Sequence, residues 1–301
     1  MKNKTAYLLG ILLTILLGTY LNYIYCCQGT DDVKEVSAPI PLIEPTKNAL
    51  SISDVNGLEV NESDNFNFNV SGSSIITPLS DSVKSAVDTV STYFAAYPDR
   101  AINITGHYKG DEVNTTAFPN LGLARANAVK NYFVGNGVPS RHINTFGVLD
   151  NSFEPDADGV LYGPVSFEVN ALSDEEALRE EMEAIAAEIK GKPLMLYFET
   201  GAATLTLTPE QREKVAKIAR YLDKVDESTC LIVGHTDNTG TAEGNLVLGQ
   251  ERADYARDYL VNNHIRASKV TSLSKGQTAP IAGNDTAEGR AQNRRIEVTI
   301  N

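Results

Sequence analysis

The sequence is poor in several residue types, and each scarcity narrows what the protein can be. It contains no tryptophan, four histidines and three cysteines in 301 residues. Cys26 and Cys27 are adjacent and Cys230 lies inside an apolar run, so we expect no disulfide framework. Basic residues are also outnumbered, with 26 Lys and Arg against 39 Asp and Glu and a net charge of −13. Nucleic acid, a polyanion, is therefore not expected as a partner.

Charge is absent from one long stretch, residues 6–27, which is apolar almost throughout. A helix of that length can cross the roughly 30 Å hydrocarbon core of a membrane. Two lysines precede the stretch and two aspartates follow it, so the positive-inside rule puts the N-terminus in the cytoplasm. We predict a membrane anchor over residues 1–27. A cleaved signal peptide and a lipoprotein modified at Cys26 or Cys27 are the alternatives.

Patterns of catalytic residues are missing as well. The sequence shows no Ser or Cys nucleophile motif and no paired buried carboxylates. His235 and Asp237 are close in sequence, but no third or fourth residue has the spacing of a zinc ligand. We therefore expect a protein that is not an enzyme, with no catalytic residues, metal or cofactor.

What the chain does contain is an internal repeat. The pair Gly106-His107 recurs as Gly234-His235, and the same order of apolar strands and amphipathic helices surrounds each pair. The matched stretches are 101–106 with 229–234, 121–133 with 248–260, 141–148 with 268–275, and 165–170 with 294–299. This pattern predicts a tandem duplication.

The alternation of strands and helices predicts an α/β fold of the α+β sandwich type. We expect two tandem domains, each a mixed sheet with helices packed on it, after an N-terminal transmembrane helix. We call residues 51–171 the first segment and 193–301 the second segment. The expected division is an anchor over 1–27, a tether over 28–50, the first domain over 51–171, a linker helix capped by Ser173 over 172–192, and the second domain over 193–301.

The loop GHTDNTG (234–240) carries the most specific chemistry. It follows a strand and presents Asp237, and the next helix presents Arg252 in its second turn. A carboxylate and a guanidinium facing each other across a groove would suit a zwitterionic ligand, since one accepts from an ammonium and the other binds a carboxylate. The alternative is that Asp237 and Arg252 form a salt bridge with each other.

Three stretches together resemble the OmpA-like (OmpA/MotB C-terminal) peptidoglycan-binding domain. They are GHTDNTG (234–240), NLVLGQERA (245–253) and PIAGNDTAEGRAQNRRIE (280–297), and Gly249 departs from the Ser that many relatives carry. The resemblance implies non-covalent binding of peptidoglycan through the diaminopimelate of its stem peptide, which has both an ammonium and a carboxylate. It assigns those groups to Asp237 and Arg252. The further contacts that it implies are Thr236, Asn245, Arg294 and Arg295, although the last two can instead brace the final strand.

The first segment keeps the pattern without the same side chains. Lys109 stands in the place of Asp237, Val165 and Ser166 are aligned with the two arginines, and Arg125 alone is retained. We expect no diaminopimelate binding there, because two cations would repel the ligand's ammonium. The first segment is then a spacer or a protein-contact domain, or it holds a basic pocket for another carboxylate.

The resemblance implies a protein that tethers a membrane to the cell wall from the periplasm. The inner membrane is favoured over an outer-membrane lipoprotein. The alternative is a structural subunit of an envelope complex, for secretion or motility, whose first domain docks a protein partner through loops such as DEVNTTAFPN (111–120).

Overall fold

The computed structural model describes residues 2–24, 45–197 and 206–301. The contacts divide the chain into two compact units, Met1–Ile43 and Glu44–Asn301. The described helices are α1 (Lys2–Asn22), α2 (Asp81–Ala96), α3 (Leu121–Gly135), α4 (Glu175–Gly191), α5 (Pro209–Lys224), α6 (Ala242–Asn262) and α7 (Ala287–Asn293). The described strands are β1 (Leu50–Ser53), β2 (Glu59–Glu62), β3 (Phe68–Asn69), β4 (Arg100–Tyr108), β5 (Ile143–Leu149), β6 (Val160–Leu161), β7 (Val165–Ala171), β8 (Leu194–Tyr197), β9 (Cys230–His235), β10 (Val270–Gly276) and β11 (Arg295–Ile300).

The N-terminal unit contains helix α1. Its large apolar side chains from Leu9 to Leu21 are exposed. No helix within the described residues is both long enough and apolar enough to cross a membrane, so the predicted anchor is not confirmed. Cys26, Cys27 and most of the predicted tether, residues 28–44, lie outside the described residues.

The first segment is built on a three-stranded sheet in the order β5-β4-β7. Strand β4 runs parallel to β5 and antiparallel to β7. Helices α2 and α3 begin at side-chain caps, where Ser80 accepts from the amide of Val83 and Asn120 from that of Leu123. The apolar residues of α2 recur with helical spacing, and they pack with the inner side chains of the sheet in one core.

The second segment repeats this order with one more strand. Its sheet has the order β10-β9-β11-β8, in which β9 runs parallel to β10 and antiparallel to β11. Helix α5 begins with a capping box between Thr208 and Gln211, and Pro209 occupies its first turn. The prediction of mixed sheets covered by helices is confirmed. The shared strand order supports the interpretation of two copies of one domain, which stays a prediction.

The strand register corrects one part of the proposed internal alignment. Ile102 pairs with Ile143, and Cys230 pairs with Val270, which agrees with the alignment of these strands. The last strand is different, because Gly106 lies opposite Val165 whereas Gly234 lies opposite Ile296. The alignment of 165–170 with 294–299 is therefore wrong by two residues. The residues in register with the two arginines are 163 and 164, a Gly and a Pro, so the first segment still lacks both guanidinium groups.

The loop expected to face a protein partner packs instead against the second segment. Phe118 is 0% exposed and joins the apolar core of the second segment together with Ala117. The amide of Ala117 donates to Oδ1 of Asn263 at 2.7 Å, and Arg212 donates to the carbonyl of Asn114 at 3.2 Å. Ala117 and Phe118 of the loop 111–120 therefore do not lie on a free surface, because their side chains pack in the core of the other segment.

A buried ion pair also joins the two segments. The Nζ atom of Lys130 on α3 lies 2.5 Å from Oδ2 of Asp223 on α5, and it donates to Oδ1 of Asn127 at 2.7 Å. Arg266 approaches the other carboxylate oxygen at 3.5 Å. These groups are held between helices of both segments, so the segments form one packed body within Glu44–Asn301.

Helix α4, the predicted linker helix, lies before the second segment in the chain and packs on it. Met182, Ile185 and Ile189 bury one face in that segment's core. The cap is Asp174, which accepts from the amides of Glu176 and Ala177; the prediction of Ser173 is therefore wrong by one residue. The carboxylates at the first turn and Lys190 at the last complement the helix dipole, as expected.

Candidate functional site

Asp237 lies just beyond the end of β9, in a loop that is anchored at its start. The amide of Thr236 donates to the carbonyl of Gly276 at 3.0 Å, which ties the loop to the end of β10. Asp237 is largely buried. Its Oδ1 accepts from the amide of Thr239 at 2.9 Å, and its Oδ2 accepts from Nη1 of Arg294 at 2.8 Å. The loop backbone and the end of α7 therefore fix the carboxylate from two sides.

These contacts keep Asp237 ionised. Burial opposes its ionisation, but hydrogen bonds from Arg294 and Thr239 outweigh burial and hold the pKa below its ordinary value. The carboxylate is thus a permanent acceptor at neutral pH, available to a further donor through its remaining lone pairs.

Arg252 projects from α6, whose first turn is capped by Thr241. Its Nη1 atom is buried and has no hydrogen-bond partner in the described parts of the chain. Burial lowers the pKa of this guanidinium, Arg294 nearby lowers it further, and Asp237 opposes the shift. An arginine has no accessible neutral form, so a buried donor of this kind is stabilised by any acceptor that reaches it.

The alternative of a salt bridge between Asp237 and Arg252 is not what the structure shows. Within the described residues the ion-pair partner of Asp237 is Arg294. Two guanidinium groups, of Arg252 and Arg294, therefore neighbour one carboxylate. This local excess of positive charge favours an additional carboxylate, while Asp237 provides the acceptor that a nearby ammonium requires.

The other predicted ligand contacts have roles within the protein. Arg295 is buried, lies 2.7 Å from Glu297 and donates to the carbonyl of Ala279 at 3.1 Å, so it braces the final strand. The Thr236 hydroxyl donates to the carbonyl of Asp237 at 2.9 Å. Asn245 donates to Oε1 of Gln277 at 2.6 Å. Of the two arginines, Arg294 is the one that the fold brings to Asp237.

One group of site residues was recognised in sequence only as part of a motif. Asn293, directly before Arg294, accepts from the amides of Ile281 and Ala282 and donates to Oδ1 of Asn284 at 3.0 Å. The same Oδ1 accepts from the amide of Asn238, beside Asp237. A run of amide contacts therefore fixes the Asp237 loop relative to Arg294, and no spacing rule could have identified it.

His235 lies beneath this loop without a strong hydrogen bond. Both ring nitrogens are buried and lack a hydrogen-bond partner in the described structure, and Nε2 lies 3.8 Å from Glu297. Burial lowers the pKa of His235 to about 4, with Arg295 and Lys275 adding to the shift and Glu297 opposing it. His235 is therefore a neutral packing residue at pH 7, consistent with the expected structural role in the turn.

In the first segment, the cationic side chains at the corresponding positions are already paired with carboxylates. Arg125 is 0% exposed and forms an ion pair with Glu112, while Lys109 lies 3.5 Å from Glu154. Each cation thus has a carboxylate partner from the same segment. The alternative of an open basic pocket in the first segment is wrong, because Glu112, in a loop without helical or strand periodicity, neutralises Arg125.

Comparison with known families identifies the family of the chain. The sequence profile of the OmpA family matches residues 68–154 and 197–294, which together are more than half of the chain. The chain belongs to the OmpA family. The two matched stretches fall in the first and the second segment, respectively.

Individual relatives match shorter parts of the chain. Outer membrane protein A of Bordetella avium is 41% identical over 95 residues, 32% of this chain and 49% of that protein. Peptidoglycan-binding protein ArfA of Mycobacterium tuberculosis is 36% identical over 96 residues, 32% of this chain and 29% of that protein. The peptidoglycan-associated lipoprotein from Burkholderia pseudomallei, a solved structure, is 29% identical with a TM-score of 0.33, over 37% of this chain and 92% of that chain. The chain spans half the length or less of these curated relatives.

Proposed function

We propose that the second segment binds peptidoglycan non-covalently, through the diaminopimelate of the stem peptide. The observation that carries this proposal is the buried Nη1 of Arg252, which has no hydrogen-bond partner within the described residues and lies beside the Asp237–Arg294 pair. A diaminopimelate side chain ends in one ammonium and one carboxylate. Asp237 accepts from the ammonium, and Arg252 donates to the carboxylate.

Family membership supports the same ligand. Of the relatives described above, ArfA of Mycobacterium tuberculosis is by its name a peptidoglycan-binding protein. Such binding requires no bond to be made or broken, so we propose a binding protein of the cell envelope rather than an enzyme. Attachment to a membrane through residues 1–27, with the folded unit in the periplasm, stays a prediction from the sequence. Fractionation of the full chain and of a chain lacking residues 1–27 tests it.

The structure weakens one form of the alternative function. A role as a complex subunit assigned the loop 111–120 to a protein partner, but Ala117 and Phe118 of that loop are buried in the second segment. A partner of the first segment would have to use another surface. The wall-binding proposal does not depend on such a partner.

The test is calorimetric titration of the folded chain with two stem peptides, one containing diaminopimelate and one containing lysine at the same position. Lysine retains the ammonium and lacks the side-chain carboxylate. We expect Asp237→Ala to weaken binding of the diaminopimelate peptide by about 2 kcal/mol, roughly 30-fold, because a charged donor is left unpaired.

Arg252→Met should weaken binding of the diaminopimelate peptide to the level of the lysine peptide and leave the lysine peptide unaffected. Glu154→Ala, which removes a carboxylate from the corresponding region of the first segment, is the matched control and should bind like wild type. Equal affinity of wild type for both peptides, or no loss in either site variant, would refute the proposal.

A further inference from the structure

The first segment contains a completely buried ion pair that the proposed function does not use. Arg125 and Glu112 have side chains that are 0% and 1% exposed. The two Nη atoms of Arg125 face the two carboxylate oxygens of Glu112, and the Nη1 to Oε2 distance is 3.1 Å. This is the fork-on-fork geometry in which arginine recognises a carboxylate.

The protein holds the guanidinium in place independently of Glu112. Nε donates to the carbonyl of Gly72 at 3.0 Å, and Nη1 donates to the carbonyl of His107 at 2.8 Å. Nη2 reaches the carbonyl of Asn69 at 3.4 Å, and the ring of Phe68 lies 5.7 Å away on one side. Backbone carbonyls of the scaffold therefore fix the orientation of the fork.

Backbone amides complete the receptor on the opposite side. Oε1 of Glu112 accepts from the amide of Ser71 at 2.9 Å, and Oε2 accepts from the amide of Lys109 at 2.7 Å. With the two arginine donors, these amides provide four donors converging on one carboxylate. Burial opposes ionisation of Glu112, but these hydrogen bonds outweigh burial and lower its pKa.

The position of Arg125 links this arrangement to the second segment. Arg125 and Arg252 each lie three residues after a glycine, Gly122 or Gly249, that packs against the preceding strand. Glu112, by contrast, belongs to an irregular loop, and Arg252 has no carboxylate partner within the described residues.

We propose that the first segment contains a carboxylate-binding site, and that Glu112 of the same chain occupies this site as a permanent ligand. When Glu112 is removed, the same donors, Arg125 and the amides of Ser71 and Lys109, take a small external carboxylate. When Glu112 is present, it excludes external ligands from this site. The inference rests on the contacts of Glu112 and Arg125 and stands whether or not the second segment binds diaminopimelate.

The test removes the internal ligand and supplies an external one. Glu112→Ala in the full chain should lower the thermal midpoint by about 10 °C, since a buried guanidinium loses its partner. Sodium acetate or formate should then raise the midpoint of this variant in a concentration-dependent way, relative to sodium chloride at equal ionic strength. Wild type, Glu154→Ala and Glu112→Ala/Arg125→Met should show no such difference between the salts.

An acetate response that is equal in wild type and Glu112→Ala, or one that survives removal of Arg125, would overturn the proposal. If Glu112→Ala does not fold in chloride, its refolding yield in acetate gives the answer: recovery supports the site, and no recovery rejects it. Glu112→Gln is a second variant that fills the same space without charge. It should fold and show no acetate response. No stem peptide is used, so the outcome is independent of the proposed function.

Discussion

Arg125 and Arg252 occupy the same place in two segments of one chain and have opposite surroundings. Arg125 is fully buried and satisfied by Glu112 and three backbone carbonyls. Arg252 has a buried nitrogen without a described partner, beside a second guanidinium. The comparison teaches that a retained arginine does not identify a binding site by itself. The loop before the helix decides whether the guanidinium is satisfied internally or left for a ligand.

The charges of the two sites show the same contrast. In the first segment, Lys109 and Arg125 are matched by Glu154 and Glu112. In the second segment, Arg252 and Arg294 share Asp237. The first arrangement is neutral and the second carries an excess positive charge, so only the second gains by taking up an anion.

The largest expected effect is a difference in unfolding free energy between a variant of Arg125 and the same variant of Arg252. Arg125→Met leaves Glu112 ionised and buried, and it should lower the free energy of unfolding by about 3–5 kcal/mol. Arg252→Met removes a donor atom, Nη1, that has no hydrogen-bond partner among the residues that the structure describes, and it should cost less than about 1 kcal/mol. Urea denaturation of the two variants measures the difference.

A second substitution provides the control. Adding Glu112→Leu to Arg125→Met removes the stranded carboxylate and should recover part of the loss, because an apolar pair can replace a buried ion pair but leaves the amides of Ser71 and Lys109 without their acceptor. Equal losses in the two single variants would mean that the two surroundings differ less than the contacts indicate.

The next prediction tests whether the first segment stabilises the core of the second segment. Phe118→Ala removes a ring that is 0% exposed from the second segment's core. We expect a loss of about 3 kcal/mol in unfolding free energy, with stem-peptide affinity unchanged in the folded protein, because Phe118 packs in the apolar core and does not belong to the proposed site. Val113→Ala, on the same loop but 65% exposed, should have almost no effect. Independent unfolding of the two segments in Phe118→Ala would confirm that this residue couples them.

Sequence patterns could predict the family and the alternation of strands and helices, and they single out Asp237 and Arg252, whose role in binding stays a proposal. These features depend on local periodicity and on a motif that spans nearly the whole second segment.

The partners of the charged residues could not be predicted in the same way. Arg294 and Asp237 are far apart in sequence, and their meeting depends on how β11 enters the sheet. Glu112 lies in an irregular loop, where no period indicates which side chains turn inward. Phe118 read as part of a polar surface loop because its partners belong to the other segment, and the two-residue error in the last strand arose because alternation is the same at either register.

The third effect concerns the histidines that follow the two related glycines. His107 has a hydroxyl partner, Ser166, at 3.0 Å, whereas both ring nitrogens of His235 lack a hydrogen-bond partner in the part of the chain that the structure describes. Burial lowers the pKa of His235 to about 4. The unfolded state, with a histidine pKa near 6.5, takes up the proton first as pH falls. His235 therefore contributes stability above pH 6.5, and this contribution is lost as pH falls from 6.5 towards 4. The loss should reach about 3 kcal/mol by the lower end.

The measurement is the unfolding free energy between pH 7 and pH 4.5 for wild type and His235→Gln. The variant should lose less stability over this range, because it lacks the group that must remain neutral. His264, whose pKa burial also lowers to about 4, is common to both proteins and cancels in the difference. Parallel pH profiles of the two proteins would contradict the prediction, because they would mean that His235 takes up a proton as readily in the folded protein as in the unfolded chain.

The smallest effect compares the glycines at which each helix meets its strand. A Cβ added at Gly122 would lie 2.4 Å from the carbonyl oxygen of Gly106, a backbone atom that cannot move alone. A Cβ added at Gly249 would lie 2.2 Å from Oγ of Ser274, a side chain that can rotate, and 3.2 Å from the carbonyl oxygen of Gly234. Gly122→Ser should therefore cost about 3 kcal/mol and Gly249→Ser about 1 kcal/mol. A chemical denaturation series would contradict this if Gly249→Ser were the more costly change, and Ser274→Gly should then relieve it. The tolerance at Gly249 follows from the side chain opposite it.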